Sequence, residues 1–296
     1  MGLFGRKKRS LEAGLYGKHP DAGDFIRVNA GGAELRALDE WLSGAMVAAG
    51  RLVPDWERSY LAADPVSMIF NPGSKSGICV IATLAPSTDR SGRRFPLVLF
   101  AEVGFDALTE TFPGAPLLAF FEMAQSLHAR RQSIGQAELL ERARGLVPPD
   151  AAAFDRAARR QEAYLDSTTV GQAFRDGGGW IDQALHELQG VCRDVTPNRP
   201  LPRFGVRLPL GPPPAEQASL WLRLLRDMCS VRLVPNVLWT DHRLALYLDR
   251  PSSKALVSLW RGEWQDETVF DLGQSPSTSS RFSPEHPLRA LVTAVS

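Results

Sequence analysis

The sequence predicts a mixed α/β (α+β) protein: a mostly antiparallel central sheet flanked by helices, followed by a second, smaller sheet-and-helix domain. Three observations predict this. In the first half, short β-branched and aromatic runs lie too close together for helical crossovers between them, so they pair antiparallel. Stretches with apolar residues at three-and-four spacing alternate with those runs. Before the strand and helix pattern resumes, Gly177, Gly178 and Gly179 interrupt the chain with flexible backbone.

Leu15 to His19 and Phe25 to Val28 read as short strands split by the turn-rich insert Pro20 to Gly23. From Ala33 to Ala49, Leu35, Leu38, Leu42, Ala45, Met46 and Ala49 build one apolar helical stripe. Pro54 suits the first turn of a shorter helix carrying Trp56 and Tyr60, which ends near Asp64 and Pro65. Val66 to Phe70, Gly77 to Leu84 and Phe95 to Val103 are strands, and helices follow at Leu117 to Arg131, Gln136 to Arg144 and Asp150 to Leu165. Strand, strand, helix, three strands and a helix is an element order similar to longin-like and profilin-like layouts. The second half reads as a helix at Trp180 to Gln189, an edge-like strand at Phe204 to Leu210 and a helix at Ala215 to Cys229. Strands at Val234 to Thr240 and Leu244 to Leu248 then precede a helix at Ser252 to Arg261. The expected organisation is a basic N-terminal tail (1–10), a first domain (11–165), a Gly-rich linker (166–180) and a second domain (181–296) with a mobile Ser/Pro-rich segment.

A chain of 296 residues with 44% apolar and 23% charged residues can bury a sizeable core. A formal net charge of +1 gives no large field to gather nucleic acid or anionic membrane. The four adjacent basic residues Arg6 to Arg9 read as a solvated tail. No apolar run reaches the ~18 residues of a spanning helix, no secretory signal follows the basic start, and a cytoplasmic location is expected. Cys79, Cys192 and Cys229 are far apart without CxxC spacing, so they read as small buried hydrophobes rather than a disulfide framework or zinc site.

The chemistry-bearing residues concentrate in two charged, glycine-punctuated segments, "GLYGKHPDAGDFIRV" and "APSTDRSGRRFPLVLF". The second connects two strands through a loop longer than ordinary hairpins use. After Gly23, the Asp24 carboxylate can accept backbone N–H bonds or pair with an arginine. Asp89 and Arg90 sit in the connection with Arg93 and Arg94 beside them. Two readings stand: Asp24 or Asp89 clamps an arginine and holds the two loops together, or the loops form a partner surface. Arg93 and Arg94 start a strand and must point to opposite faces, so at least one faces outward and the two are expected to contribute to a partner surface, while Arg90 is expected to hold the loop through Asp89 or Asp24. Trp41, Trp56 and Tyr60 suit helix packing, and an exposed Trp41 beside the loops would be a contact residue.

Gly17-Lys18 lacks the glycine loop and Lys-Ser/Thr ending of a phosphate loop. The five histidines have no metal-ligand spacing and read as surface or capping groups. GxSxG and HExxH motifs are absent, so no metal and no cofactor is expected. The enzymatic alternative is a hydrolytic or phosphoryl-transfer enzyme using Asp24 or Asp89 as base.

Together the segments resemble the TagF (ImpM) family of bacterial type VI secretion-associated proteins. That family carries G-x-x-G-K-x-P-x-x-G-D-F, here Gly14, Gly17, Lys18, Pro20, Gly23, Asp24 and Phe25. Its D-x-W-L corresponds to Asp39, Trp41 and Leu42, and its P-S-x-D-R-x-G-R-x-F-P-L to Pro86, Ser87, Asp89, Arg90, Gly92, Arg93, Phe95, Pro96 and Leu97. Farther on, "NVLWTD" is similar to the family's S-x-W-W-T, with the single Trp239 in place of two tryptophans. The resemblance implies a non-enzymatic cytoplasmic accessory protein of the secretion machine. It further implies a post-translational repressor of assembly that binds the system's forkhead-associated scaffold protein.

Overall fold

Apart from Ser67, Val66 to Phe70 and most of the strand that follows are apolar on both alternating faces, so both faces of this part of the sheet must be covered. In the computed structural model, helices cover them. The structure describes residues 10–73, 75–110, 118–131, 133–174, 180–196, 199–201, 204–229, 232–240, 243–261, 269–272 and 281–295. In chain order the first half contains β1 (Ala13–Gly17), β2 (Ile26–Val28), α1 (Ala33–Leu52), α2 (Trp56–Ala62), β3 (Val66–Phe70), β4 (Ile78–Ala85), β5 (Leu97–Gly104), α3 (Phe105–Glu110), α4 (Leu118–Arg130), α5 (Gln136–Arg144) and α6 (Ala151–Ser167). The remainder contains α7 (Val170–Ala173), α8 (Ile181–Asp194), β6 (Gly205–Pro209), α9 (Pro214–Met228), β7 (Asn236–Trp239), β8 (Arg243–Tyr247), α10 (Ser253–Trp260), β9 (Val269–Asp271) and α11 (Arg289–Thr293).

The strands form one sheet in the order β2-β1-β5-β4-β3-β7-β8-β6-β9, antiparallel except for the β6–β9 pair. β4 and β5 pair from Ile78↔Gly104 to Ala85↔Leu97, which makes them the longest hairpin and projects their connection from one end of the sheet. One face packs under α1, α2 and α10 through Leu38, Trp41, Leu42, Tyr60 and Trp260; the other supports α4, α5, α6, α8 and α9. α6 begins at a side-chain cap, Asp150 Oδ1 accepting from the Ala153 N–H at 2.7 Å.

The expected smaller second sheet is instead a continuation of the first. β7 pairs with β3 through Ser67↔Trp239, Met68↔Leu238 and Ile69↔Val237. An apolar, fully buried strand such as β3 cannot leave its backbone edge unpaired, and β7 supplies the partner. β6 is not an edge strand either, because β9 adds beside it in parallel. With three residues, β9 is too short for alternation to reveal it. The basic tail Arg6 to Arg9, the glycines Gly177 to Gly179, residues 273–280 of the Ser/Pro-rich segment and His242 lie outside the described residues.

Two of the histidines expected to be surface or capping groups are buried, His19 and His128. His128, on α4, donates its Nε2–H to the Thr83 carbonyl of β4 at 3.0 Å, while its Nδ1 has no partner among the described residues. Burial, with the Arg131 charge adding to it, pushes its pKa down to about 4. An unfolded histidine, with a pKa near ~6.5, takes up a proton between pH 6.5 and 4 that the folded one refuses, so stability rises with pH across that window. From pH 7 to 4.5, urea unfolding should lose about 2.5 kcal/mol through this residue. His128→Gln, which keeps a donor but does not titrate, should flatten that part of the curve; an unchanged slope would place the titration elsewhere.

Candidate functional site

β1 ends where the chain crosses β5. Gly17 has φ +134, and a Cβ there would lie 2.0 Å from the Pro96 carbonyl oxygen, so only glycine fits. At Gly14 a Cβ would meet the Val28 carbonyl oxygen at the same distance. Both motif glycines therefore permit close strand approach. Past Gly17, Lys18 and His19 turn inward. The His19 Nε2–H donates to the Arg131 carbonyl at 3.0 Å and Nδ1 accepts from the Asp21 N–H at 3.2 Å, tying the first loop to the end of α4.

The β4–β5 connection is organised around Asp89, whose side chain is fully buried. Oδ1 accepts from the Ser91 N–H (3.0 Å), the Ser91 hydroxyl (2.7 Å) and the Arg93 N–H (2.9 Å). Oδ2 accepts from Arg93 Nε at 2.7 Å and from the buried Lys18 ammonium. Burial alone would raise the carboxyl's pKa. The hydrogen bonds from Lys18, Ser91 and Arg93 outweigh it and hold the group well below the usual carboxylate range. The turn is completed by the Asp89 N–H donating to the Arg93 carbonyl (3.0 Å) and the Gly92 N–H to the Asp89 carbonyl (2.9 Å). A carboxylate so fully engaged is an anchor, with no lone pair turned to solvent for proton abstraction.

The two charged loops touch. The Arg90 N–H donates to the Ala22 carbonyl (2.8 Å) and Arg93 Nη2 to the Gly23 carbonyl (2.7 Å). Arg93 Nη2 also lies 3.9 Å from Asp24 Oδ1, but both side chains are more than half exposed, so this pair adds little. Asp24 instead uses Oδ1 to cap the Phe25 N–H at 2.8 Å. Beneath the loops, Phe25 stacks on Tyr16 (centroids 5.3 Å apart) and meets Phe95 edge-on (4.9 Å), and the Lys18 ammonium lies 4.7 Å from the Phe25 centroid.

This arrangement corrects two expected roles. Arg93, at i+4 from Asp89, is the arginine that clamps, whereas the Arg90 side chain is exposed and has no carboxylate partner among the described residues. The tight turn places Arg93 back over the Asp89 carboxylate, while the exposed Arg90 guanidinium lies beside Gly23 of the first loop. Arg94 points the other way, to Glu57 Oε1 of α2 at 2.8 Å. Trp41 is not a surface contact: it is 4% exposed, packs against Phe70 and donates Nε1–H to the Pro251 carbonyl at 2.8 Å. It falls on the buried stripe of α1, which also holds Leu38, Leu42 and Ala45. Its motif neighbour Asp39 accepts from the Tyr16 hydroxyl at 2.6 Å.

Sequence reasoning missed two residues. Lys18 is the buried cation of the site; a lysine directly after an apolar strand, inside a glycine turn, was the available signal. Tyr60 is the other. It is fully buried, accepts from the Ser87 N–H at 2.8 Å and donates to the Ser87 carbonyl at 3.1 Å, fastening α2 to the base of the connection.

Residues 14–144, which include both loops, match the family model of the TagF N-terminal domain, described as type VI secretion system-associated. The chain carries a TagF N-terminal domain. That domain is type VI secretion system-associated. No curated protein matches the sequence. Among solved structures, the crystal structure of PA0076 from Pseudomonas aeruginosa PAO1 is similar at 19% identity and a TM-score of 0.47, over 88% of this chain and 98% of that one. Within the TagF N-terminal domain, the motif residues Gly14, Gly17, Asp39 and Asp89 are engaged in building the site, while Trp41 packs in the core under α1. Pro20, Asp21, Gly23, Asp24, Arg27, Arg90, Ser91, Gly92 and Arg93 are its exposed residues. Among the described residues, no three His, Cys, Asp or Glu side chains are grouped to hold a metal, and no helix is long and apolar enough to cross a membrane.

Proposed function

We propose that this protein is a non-enzymatic, cytoplasmic regulator of type VI secretion that restrains assembly by binding the forkhead-associated scaffold protein of the system. The joined loops supply the binding surface. The observation that carries this reading is the division of charge within the site. Asp89, Lys18 and Arg93 are tied to one another, whereas the Arg90 side chain is exposed beside Gly23 without a carboxylate partner among the described residues, its backbone held at Ala22. An arginine fork on a rigid turn is suited to a carboxylate or phosphate on a partner, and the fixed backbone leaves only the side chain to be ordered on binding. The engagement of Asp89 on both oxygens favours this over hydrolysis.

A pull-down from cells carrying the secretion cluster tests it. The parent protein should capture the scaffold, and raising its level should reduce the number of assembled secretion sheaths. Arg90→Glu should weaken capture at least tenfold, about 1.4 kcal/mol, while the melting temperature stays nearly constant because an exposed charge contributes only ~0 to 1 kcal/mol. Failure of the parent to capture the scaffold overturns the partner, unchanged sheath numbers overturn the regulation, and equal capture by the variant removes the loops as the surface.

A further inference from the structure

Two of the three cysteines, expected to be independent hydrophobes, meet between helices. Cys192 lies in the last turn of α8 and Cys229 is the C-terminal cap of α9, 37 positions later, yet their sulfurs are 3.0 Å apart. Cys192 is 2% exposed with its sulfur 3.8 Å from the Leu225 carbonyl, Cys229 is half-buried, and Cys79 is buried at 1% exposure within β4. We propose that Cys192 and Cys229 are a modification site, a reversible intramolecular disulfide formed by peroxide that staples the end of α8 to the end of α9.

Closing the bond requires the sulfurs to approach by about 1 Å to the ~2.05 Å of a disulfide, a movement within reach of side-chain torsions. The two thiols also differ in the sense the chemistry needs. The contact between the sulfurs lowers the pKa of Cys229, the one solvent can reach, and raises that of Cys192, as does burial. Cys229 is therefore the first nucleophile. Its thiolate attacks one oxygen of hydrogen peroxide, the O–O bond breaks, and a sulfenic acid and hydroxide result. The Cys192 sulfur then attacks the Cys229 sulfur and displaces its hydroxyl, which leaves as water with the Cys192 proton. Overall, two thiols and one peroxide become one disulfide and two waters; the sulfurs lose two electrons and the peroxide gains them. An added dithiol reverses the reaction by exchange.

The test uses the full chain treated with a small excess of hydrogen peroxide, then denatured, alkylated and weighed. The expected product is a monomer two hydrogens lighter with one alkylated thiol, Cys79, and a proteolytic fragment linking positions 192 and 229; dithiothreitol should restore three alkylated thiols. In Cys192→Ser no internal link can form, and Cys229 should instead be trapped as sulfenic acid by a diketone probe. Three alkylated thiols after peroxide, a link involving Cys79, or a link between two molecules would overturn the proposal. So would trapping at Cys79 rather than Cys229 in the variant.

Discussion

Replacing Lys18 with methionine is expected to lower the free energy of unfolding by about 3 kcal/mol, because it leaves the Asp89 carboxylate buried without its ammonium partner. The melting temperature should fall by several degrees. Methionine matches the length of the lysine stem, so the loss reports charge rather than a cavity. The remaining donors from Ser91 and Arg93 keep the effect at the lower end of what breaking a buried pair costs. Adding Asp89→Asn to Lys18→Met should recover part of the loss, since the stranded charge disappears. A double variant whose loss equals the sum of the two single losses would mean that the pair does not interact. Acid should act on the same group. The folded carboxyl is held below its unfolded value, so its contribution is complete above the unfolded pKa of about 3.9 and declines as pH falls through the folded one. Unfolding monitored from pH 5 downward should be less steep in the double variant than in the parent.

Gly17→Ala should be at least as damaging, at about 3 to 5 kcal/mol. It combines a strained backbone at φ +134 with a methyl group 2.0 Å from the Pro96 carbonyl oxygen, just ahead of β5. Gly73 separates the two costs. It also has positive φ, at +68, but its absent side chain faces open space, so Gly73→Ala carries the backbone term alone and should cost ~1 kcal/mol. Equal melting temperatures for the two variants would refute the close crossing of β1 over Pro96.

The elements most visible in the sequence were those with a strong period. The apolar stripe from Leu35 to Ala49 placed α1, and the β-branched runs placed β3, β4 and β5 to within two residues. The contact between the two charged loops was legible in outline, because segments rich in glycine and charge at one end of a sheet have few other partners. Which arginine clamps was not. Arg90, Arg93 and Arg94 are chemically alike, and the choice depends on a turn whose hydrogen bonds run through Ser91 and Gly92. The burial of Lys18, the Tyr60 anchor and the meeting of Cys192 with Cys229 each join residues distant in sequence, and local pattern carries no record of such contacts.

The seam between β3 and β7 has a consequence for how the chain reaches this state. Ser67 and Trp239 are about 170 positions apart, so the centre of the sheet closes only after most of the chain is available, and the high contact order slows folding. Until β7 arrives, the nascent first half presents the open flank of β3, a strand buried at every position in the folded chain, to anything nearby. The TagF N-terminal domain match ends at residue 144, upstream of β7. A ribosome that has released only that segment has produced a template for strand addition, and the second half of the chain serves the first as an intramolecular chaperone.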